Sequence, residues 1–274
     1  MPARIIAVCN QKGGVGKTTV VTGLAEAFSQ KLGKTVLVID ADPQRNTTSA
    51  LGVEAEFTLN DVLYGDGDNN QKIVPGYAAS VVVPAGEAWA PRGDKGESFP
   101  PISVIAAERN LASRERDAMM AREHRLRIAL KGVADEYDIV LIDCPPSLGL
   151  LTVNALTAAT HALLVTEPRV SSVEGLAEIV TTIAEVQENL NEDIGVVGVI
   201  INKERKGRSD QTYWIDKVRE EFGDLVLDPA LPDRELFAKS QAASQPLRAF
   251  GSVATALRAD LELLAGQIWK GSEE

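Results

Sequence analysis

Six short runs of apolar, largely β-branched residues punctuate the chain: RIIAVC, TVLVID, ISVIAA, DIVLID, HALLVT and IGVVGVII. Each precedes a longer stretch with helical apolar spacing, and strands alternating with helices predict βαβ units. The runs are almost continuously apolar, as expected of strands buried on both faces of a parallel sheet. The predicted fold class is therefore α/β, a doubly wound, mainly parallel sheet with helices on both faces. Ligands of such sheets bind beyond the carboxyl ends of the strands. Residues 10–19, 40–46, 143–147, 167–169 and 202–208 occupy those places, and all are polar, glycine-bearing or charged. Between residues 66 and 101 the pattern fails. There SVVVPA is a candidate stray strand and EAWAPRGDKGESFPP reads as a surface loop. The expectation is one domain over 1–274 with a surface loop insertion at 66–101.

Composition narrows the picture. Of 274 residues, 45% are hydrophobic and 24% charged, which is ordinary for a soluble globular chain with ample core. A net charge of -11 excludes a protein coated in basic surface, so nucleic-acid contact would need a local patch. Cys9 and Cys144 lie far apart inside or beside apolar runs, where they read as buried thiols in a reducing cytoplasm. The opening MPARIIAVC lacks the pattern of a signal peptide. No run approaches the roughly 20 apolar residues of a membrane span. His124 and His161 are isolated, so no zinc site is expected.

The chemistry begins at GGVGKTT, which follows a strand and opens an amphipathic helix. Gly13, Gly14 and Gly16 can take dihedrals that turn successive N–H groups onto phosphate oxygens at a helix N-terminus. Lys17 is placed to reach the β and γ phosphates, and the Thr18 hydroxyl to ligate magnesium. Lys12 stands five positions earlier. A single phosphate clamp has no use for a second ammonium in a confined site, where like charges repel. Lys12 must serve something else.

Residues 12–19, KGGVGKTT, resemble the deviant Walker A motif KGGVGK[TS] of the ParA/MinD family of ATPases, and the match is complete. DADPQRNTTSALG at 40–52 is similar to that family's switch I, DxDPQxNxT, and YDIVLIDCPPSLG at 137–149 to its Walker B and switch II. The resemblance implies ATP on Gly13, Gly14, Val15, Gly16, Lys17, Thr18 and Thr19. It implies that Lys12 crosses to the nucleotide of a second subunit, so that a homodimer sandwiches two ATP molecules. A charge supplied in trans in this way is worth about 10³ to 10⁵ in rate. By the same likeness Asp42 orients the attacking water, Asp143 holds Mg2+ through water, and Asp40 supports that metal site. VIINKER resembles the region that contacts adenine, with Asn202 on the ring. Arg205 stands where guanine-specific enzymes carry an aspartate, which favours ATP over GTP. LPDRELFAKSQAASQPL is similar to the family's IPRNVRLSEAPSHGKPI and implies Pro232 and Asp233 beside the base.

The family grips either DNA or membrane. The tail ALRADLELLAGQIWKGSEE carries acids that an anionic interface would repel, and its leucines read as the core face of a terminal helix. No membrane partner is expected. NKERKGR gathers Lys203, Arg205, Lys206 and Arg208, a patch able to neutralise phosphates. Leu236 stands near the place of an arginine that helps ParA relatives bind DNA, and Arg234 and Lys239 are the substitutes on offer. No helix-turn-helix precedes the glycine loop, so nonspecific DNA is the expected ligand. The arginines from Arg109 to Arg127 alternate with acids and read as a salt-bridged helix face. The resemblance implies a short ParA-type partition ATPase, cytoplasmic and nucleoid-associated, with a ParB-type centromere-binding partner. Two alternatives are an ATPase that positions a protein cargo and a membrane-associated division-site regulator. A third, a scaffold that hardly turns over, applies if Arg45, where relatives often have glycine, distorts switch I.

Overall fold

Each of the six apolar runs forms a strand in a computed structural model, which describes residues 3–65, 72–91 and 98–272. They are β1 Arg4–Cys9, β2 Val36–Asp40, β4 Ile102–Ile105, β5 Ile139–Asp143, β6 His161–Thr166 and β7 Gly195–Ile201. Two short strands, β3 Val82–Pro84 and β8 Val226–Leu227, extend the edges. The order is β3-β4-β2-β5-β1-β6-β7-β8, parallel throughout except for antiparallel β3 on β4. The doubly wound α/β expectation holds.

Alternate side chains of these continuously apolar strands serve two different cores. Ala7, Leu37, Ile39, Val140 and Ile142 face one, while Ile6, Val8, Val36, Val38 and Leu141 face the other. The helices are α1 Lys17–Gln30, α2 Asn46–Ala50, α3 Leu59–Tyr64, α4 Arg125–Ala129, α5 Leu150–Ala158, α6 Val170–Asn189, α7 Ser209–Phe222, α8 Glu235–Ala242 and α9 Thr255–Gly271. Helices α3 to α7 contribute to the first core; α1, α8 and α9 contribute to the second. Leu257, Leu261, Leu264 and Ile268 of α9 recur at helical spacing and are all buried against that second core. Each such side chain contributes about 1.5–3 kcal/mol of burial, so these three leucines are core, as read from their spacing, whereas Leu263 is 59% exposed. No helix among the described residues is long and apolar enough to cross a membrane.

The insertion departs from a plain surface loop. Within it β3 joins the sheet, and Trp89, on a short 3-10 turn, is 3% exposed with its Nε1 donating to the carbonyls of Ala50 and Ser244 at 3.1 Å each. A proline- and glycine-rich composition marked the segment as irregular but concealed the tryptophan anchor. Residues 66–71 and 92–97 of the expected loop lie outside the described part. The arginine-rich stretch also differs from a helix face. It is broken into 3-10 turns at Arg109–Arg116 and Arg122–His124, and Arg125 is buried, donating to the carbonyls of Leu63 and Tyr64 at 2.5 and 2.7 Å.

Candidate nucleotide site

Register sets the site. Val8 lies opposite Asp143 and Asp40 opposite Asp143, so β1, β5 and β2 end side by side. From β1 the chain turns through the glycine loop into α1. Gly14 and Gly16 sit at φ 80 and 96, left-handed values that glycine takes without strain. Gly16 has a second reason: a Cβ there would lie 2.1 Å from Nδ2 of Asn202. That amide nitrogen donates to the Val15 carbonyl at 2.8 Å, so the end of β7 clasps the loop. The next residue tightens the clasp, since Lys203 donates from Nζ to the Gly14 carbonyl.

A cleft of about 650 Å3 opens at this end, lined among others by Gly13, Gly14, Gly16, Lys17, Thr18, Thr19, Asp42, Asn202, Pro232 and Asp233. The structure therefore gathers most of the predicted ligand-binding positions. Lys17, 7% exposed, hydrogen-bonds the Asn10 carbonyl at 3.3 Å, and its cation stands ready for anionic oxygens. Thr18 and Thr47 both donate to Oδ2 of Asp143, at 2.7 and 2.5 Å, while Oδ1 is buried with no partner. Burial pushes the Asp143 carboxyl up to about 6, against the opposing effect of the two threonine hydroxyls and Lys17. Burial, reinforced by the charge of Asp143, pushes Asp40 up to about 7. Two carboxylates forced together in a dry corner, one with an orphaned oxygen beside a threonine hydroxyl, fit a divalent cation. Asn202 is likewise half-used: with Nδ2 committed to Val15, its buried Oδ1 is an acceptor without a donor.

Asp40 has a more specific task than metal support. Its Oδ2 accepts from the Thr48 N–H and hydroxyl at 2.8 and 2.7 Å, and Oδ1 from the Asp42 N–H at 3.1 Å. It anchors the backbone of the switch segment. Asp42 is 8% exposed, and its Oδ1 accepts from the Gln44 N–H at 2.9 Å. Arg45 follows at φ 62, a left-handed conformation that costs a side-chain-bearing residue about 1–2 kcal/mol. The turn is nonetheless closed, by the Arg45 N–H to the Asp42 carbonyl at 2.9 Å.

Lys12 does not line the cleft. It lines a neighbouring depression, and its Nζ meets Oε1 of Glu167 at 3.1 Å. Glu167 lies in one of the strand-end segments flagged by pattern, but no motif assigned it a role. Gln241 of α8, whose Nε2 donates to the Thr19 hydroxyl at 3.1 Å, and Phe237, one turn earlier, complete the cleft wall. Both lie in the 231–247 segment whose likeness to the family's base-flanking stretch singled out only Pro232 and Asp233.

The predicted DNA residues divide. Lys203 is drawn to the Gly14 carbonyl and lines the nucleotide cleft, so it does not belong to an outward patch. Arg205 pairs with Asp233 at 2.6 Å, and Lys239 with Glu235 at 3.3 Å. Asp233 thus borders the cleft with its charge already engaged. Lys206, Arg208 and Arg234 are exposed and have no ion pair among the described residues.

Comparison with known proteins agrees with this geometry. A family model described as an AAA domain matches residues 3–196. The sporulation initiation inhibitor protein Soj of Bacillus subtilis is 34% identical over 249 residues, covering 89% of this chain and 90% of Soj. The chromosome partitioning protein ParA of Caulobacter vibrioides is 34% identical over 253 residues, covering 90% and 86%. A crystal structure of cobyrinic acid a,c-diamide synthase from Mycobacterium smegmatis, with bound ADP and magnesium, superposes with a TM-score of 0.70 at 30% identity over 93% of this chain and 94% of that one. With its glycine loop, paired strand-end aspartates and relatives of near-equal length, the chain belongs to the ParA/MinD family of P-loop nucleoside triphosphatases.

Proposed function

We propose that the chain is an ATP-hydrolysing partition protein whose ATP-bound dimer holds nonspecific DNA and lets it go on hydrolysis. The observation that carries this reading is the parting of the two lysines: Lys17 lines the cleft, whereas Lys12 lines a separate depression beside it, where it meets Glu167. The triphosphate lies along the N–H groups of residues 13–19, with Lys17 neutralising its charge. The buried Oδ1 of Asn202 accepts from the adenine amino group; guanine would present a carbonyl oxygen there and leave two acceptors face to face. Thr18 and Asp143 are the residues that would hold Mg2+, which would supply positive charge against that of the phosphates. Asp42 orients the attacking water, and Lys12 of one protomer stabilises charge on the phosphates of its partner.

Lys206, Arg208 and Arg234 supply the DNA grip, with Arg205 and Lys239 partly neutralised by their acids. Two such patches in one dimer gain avidity from effective concentration. Loss of the γ-phosphate opens the dimer, and a ParB-type partner accelerates that step. The names and bound ligands of the relatives support this reading, as does a net charge that confines DNA contact to a patch. ATP-dependent DNA binding by the Asp42→Ala protein across a salt series is the test. Expected is retention on DNA that needs ATP and weakens steeply with salt. Binding to DNA without ATP, or none with it, rejects the proposal.

A further inference from the structure

Lys12 is held at its backbone and at its ammonium. Asn10, 1% exposed, donates from Nδ2 to the Val165 carbonyl and accepts on Oδ1 from the Lys12 N–H, both at 2.8 Å. Gly175 of α6 approaches so closely that a Cβ would meet Oδ1 of Asn10 at 3.1 Å and Cβ of Lys12 at 3.9 Å. The side chain is thereby led toward the end of β6, where its Nζ meets Oε1 of Glu167 at 3.1 Å. The Glu167 side chain is only 8% exposed, and its other oxygen lies 3.7 Å from Nε of Arg169, whose side chain is 61% exposed.

A carboxylate this far from water depends on nearby cations, so separating it from Lys12 is harder than breaking a surface ion pair. We infer that Glu167 is a latch on Lys12, which holds the ammonium on its own side of the subunit boundary until a neighbour's triphosphate attracts it more strongly. The inference rests on the proposed action of Lys12 in trans. Arg169 stays beside Glu167 when Lys12 departs and limits the negative charge left bare. Glu167 is thus a positioning residue that sets the threshold for dimer closure, while nucleotide capture by Lys17 goes on without it. A symmetric dimer opens two latches, so the effect of each enters twice.

The test is sedimentation of the full chain over a range of protein concentrations, with a non-hydrolysable ATP analogue, for wild type, Glu167→Gln, Arg169→Ala and Lys12→Ala. ADP affinity is measured alongside. Glu167→Gln is expected to dimerise at a roughly tenfold lower protein concentration, the product of two weakened partly buried pairs, with ADP affinity unchanged. Arg169→Ala moves the threshold the other way, because the second cation that shares the Glu167 carboxylate with Lys12 is then gone. Arg169 projects largely into solvent, so this variant carries the test if Glu167→Gln misfolds. Dimerisation of Glu167→Gln at or above the wild-type concentration, or an unmoved Arg169→Ala threshold, with Lys12→Ala still monomeric, overturns the latch but spares the trans lysine. A Lys12→Ala protein that dimerises like wild type removes the trans lysine and the latch together.

Discussion

Lys12 and Lys17 lie five positions apart but open onto different depressions, and Pro146 borders both. Their mutants should part company in the same way. Lys17→Ala is expected to abolish ATP binding, whereas Lys12→Ala binds ATP but fails to dimerise or hydrolyse; fluorescent-nucleotide titration and sedimentation separate the two. Asp143 offers a test through pH. Its carboxyl and that of Asp40 titrate at about 6 and 7 in the fold against 3.8 ordinarily, so the folded chain binds more protons than the unfolded one across that window. The stability they contribute is full below pH 3.8 and is lost as pH rises through 6 to 7. Asp143→Asn keeps an acceptor for Thr18 and Thr47 while removing the charge. Without nucleotide it should melt a few degrees above wild type at pH 8, at roughly 2–4 °C per kcal/mol, and lose that advantage toward pH 4. Mg-ATP should stabilise it less than wild type. These residues were legible because phosphate and metal chemistry demands fixed types at fixed spacing. Thr47, Glu167 and Gln241 were not, since their contacts to Asp143, Lys12 and Thr19 span 96, 155 and 222 positions.

Among elements, the long parallel strands could be read from runs of apolar residues, and the terminal helix from its leucine spacing. The edges were legible only in part. SVVVPA holds β3 as a candidate strand, whereas β8, two residues long, is too short for any periodicity; β3 pairs with β4 and β8 with β7. The loop after β7 was recognised as basic, but only its folded form shows how the charges are distributed. Glu204 donates its N–H to the Leu231 carbonyl and accepts from the Asp233 N–H, which brings Arg205 onto Asp233 and leaves Lys206 and Arg208 outward. Reversing Lys206 and Arg208 to glutamate should therefore weaken DNA binding and make its salt dependence shallower by about one unit of slope per cation. Fluorescence anisotropy at several salt concentrations reads this, and ATP affinity should not move. An unchanged slope would return the loop to ordinary solvated surface.

For the molecule as a whole, the two chain ends are joined at one tryptophan. Trp269 of α9 lies under the Arg4 guanidinium at 3.4 Å and the Lys34 ammonium at 4.1 Å, and edge-on to Phe28 at 6.5 Å. Its carbonyl accepts from Arg4 at 2.6 Å. Glu26, 3% exposed, adds a second tie by accepting from the N–H groups of Leu247 and Arg248 at 2.8 and 2.9 Å. Trp269→Ala should cost about 2–4 kcal/mol in denaturant unfolding while leaving nucleotide affinity near wild type. The clasp of residues 202 and 203 on Val15 and Gly14 has an effect in time as well as in space. On the ribosome the glycine-rich turn is made almost two hundred residues before its fastening, which follows the neighbouring strands that flank β1. A nascent chain therefore carries its nucleotide grip in unfinished form until residues 202 and 203 are added, and a product cut short before them would keep the motif without the grip.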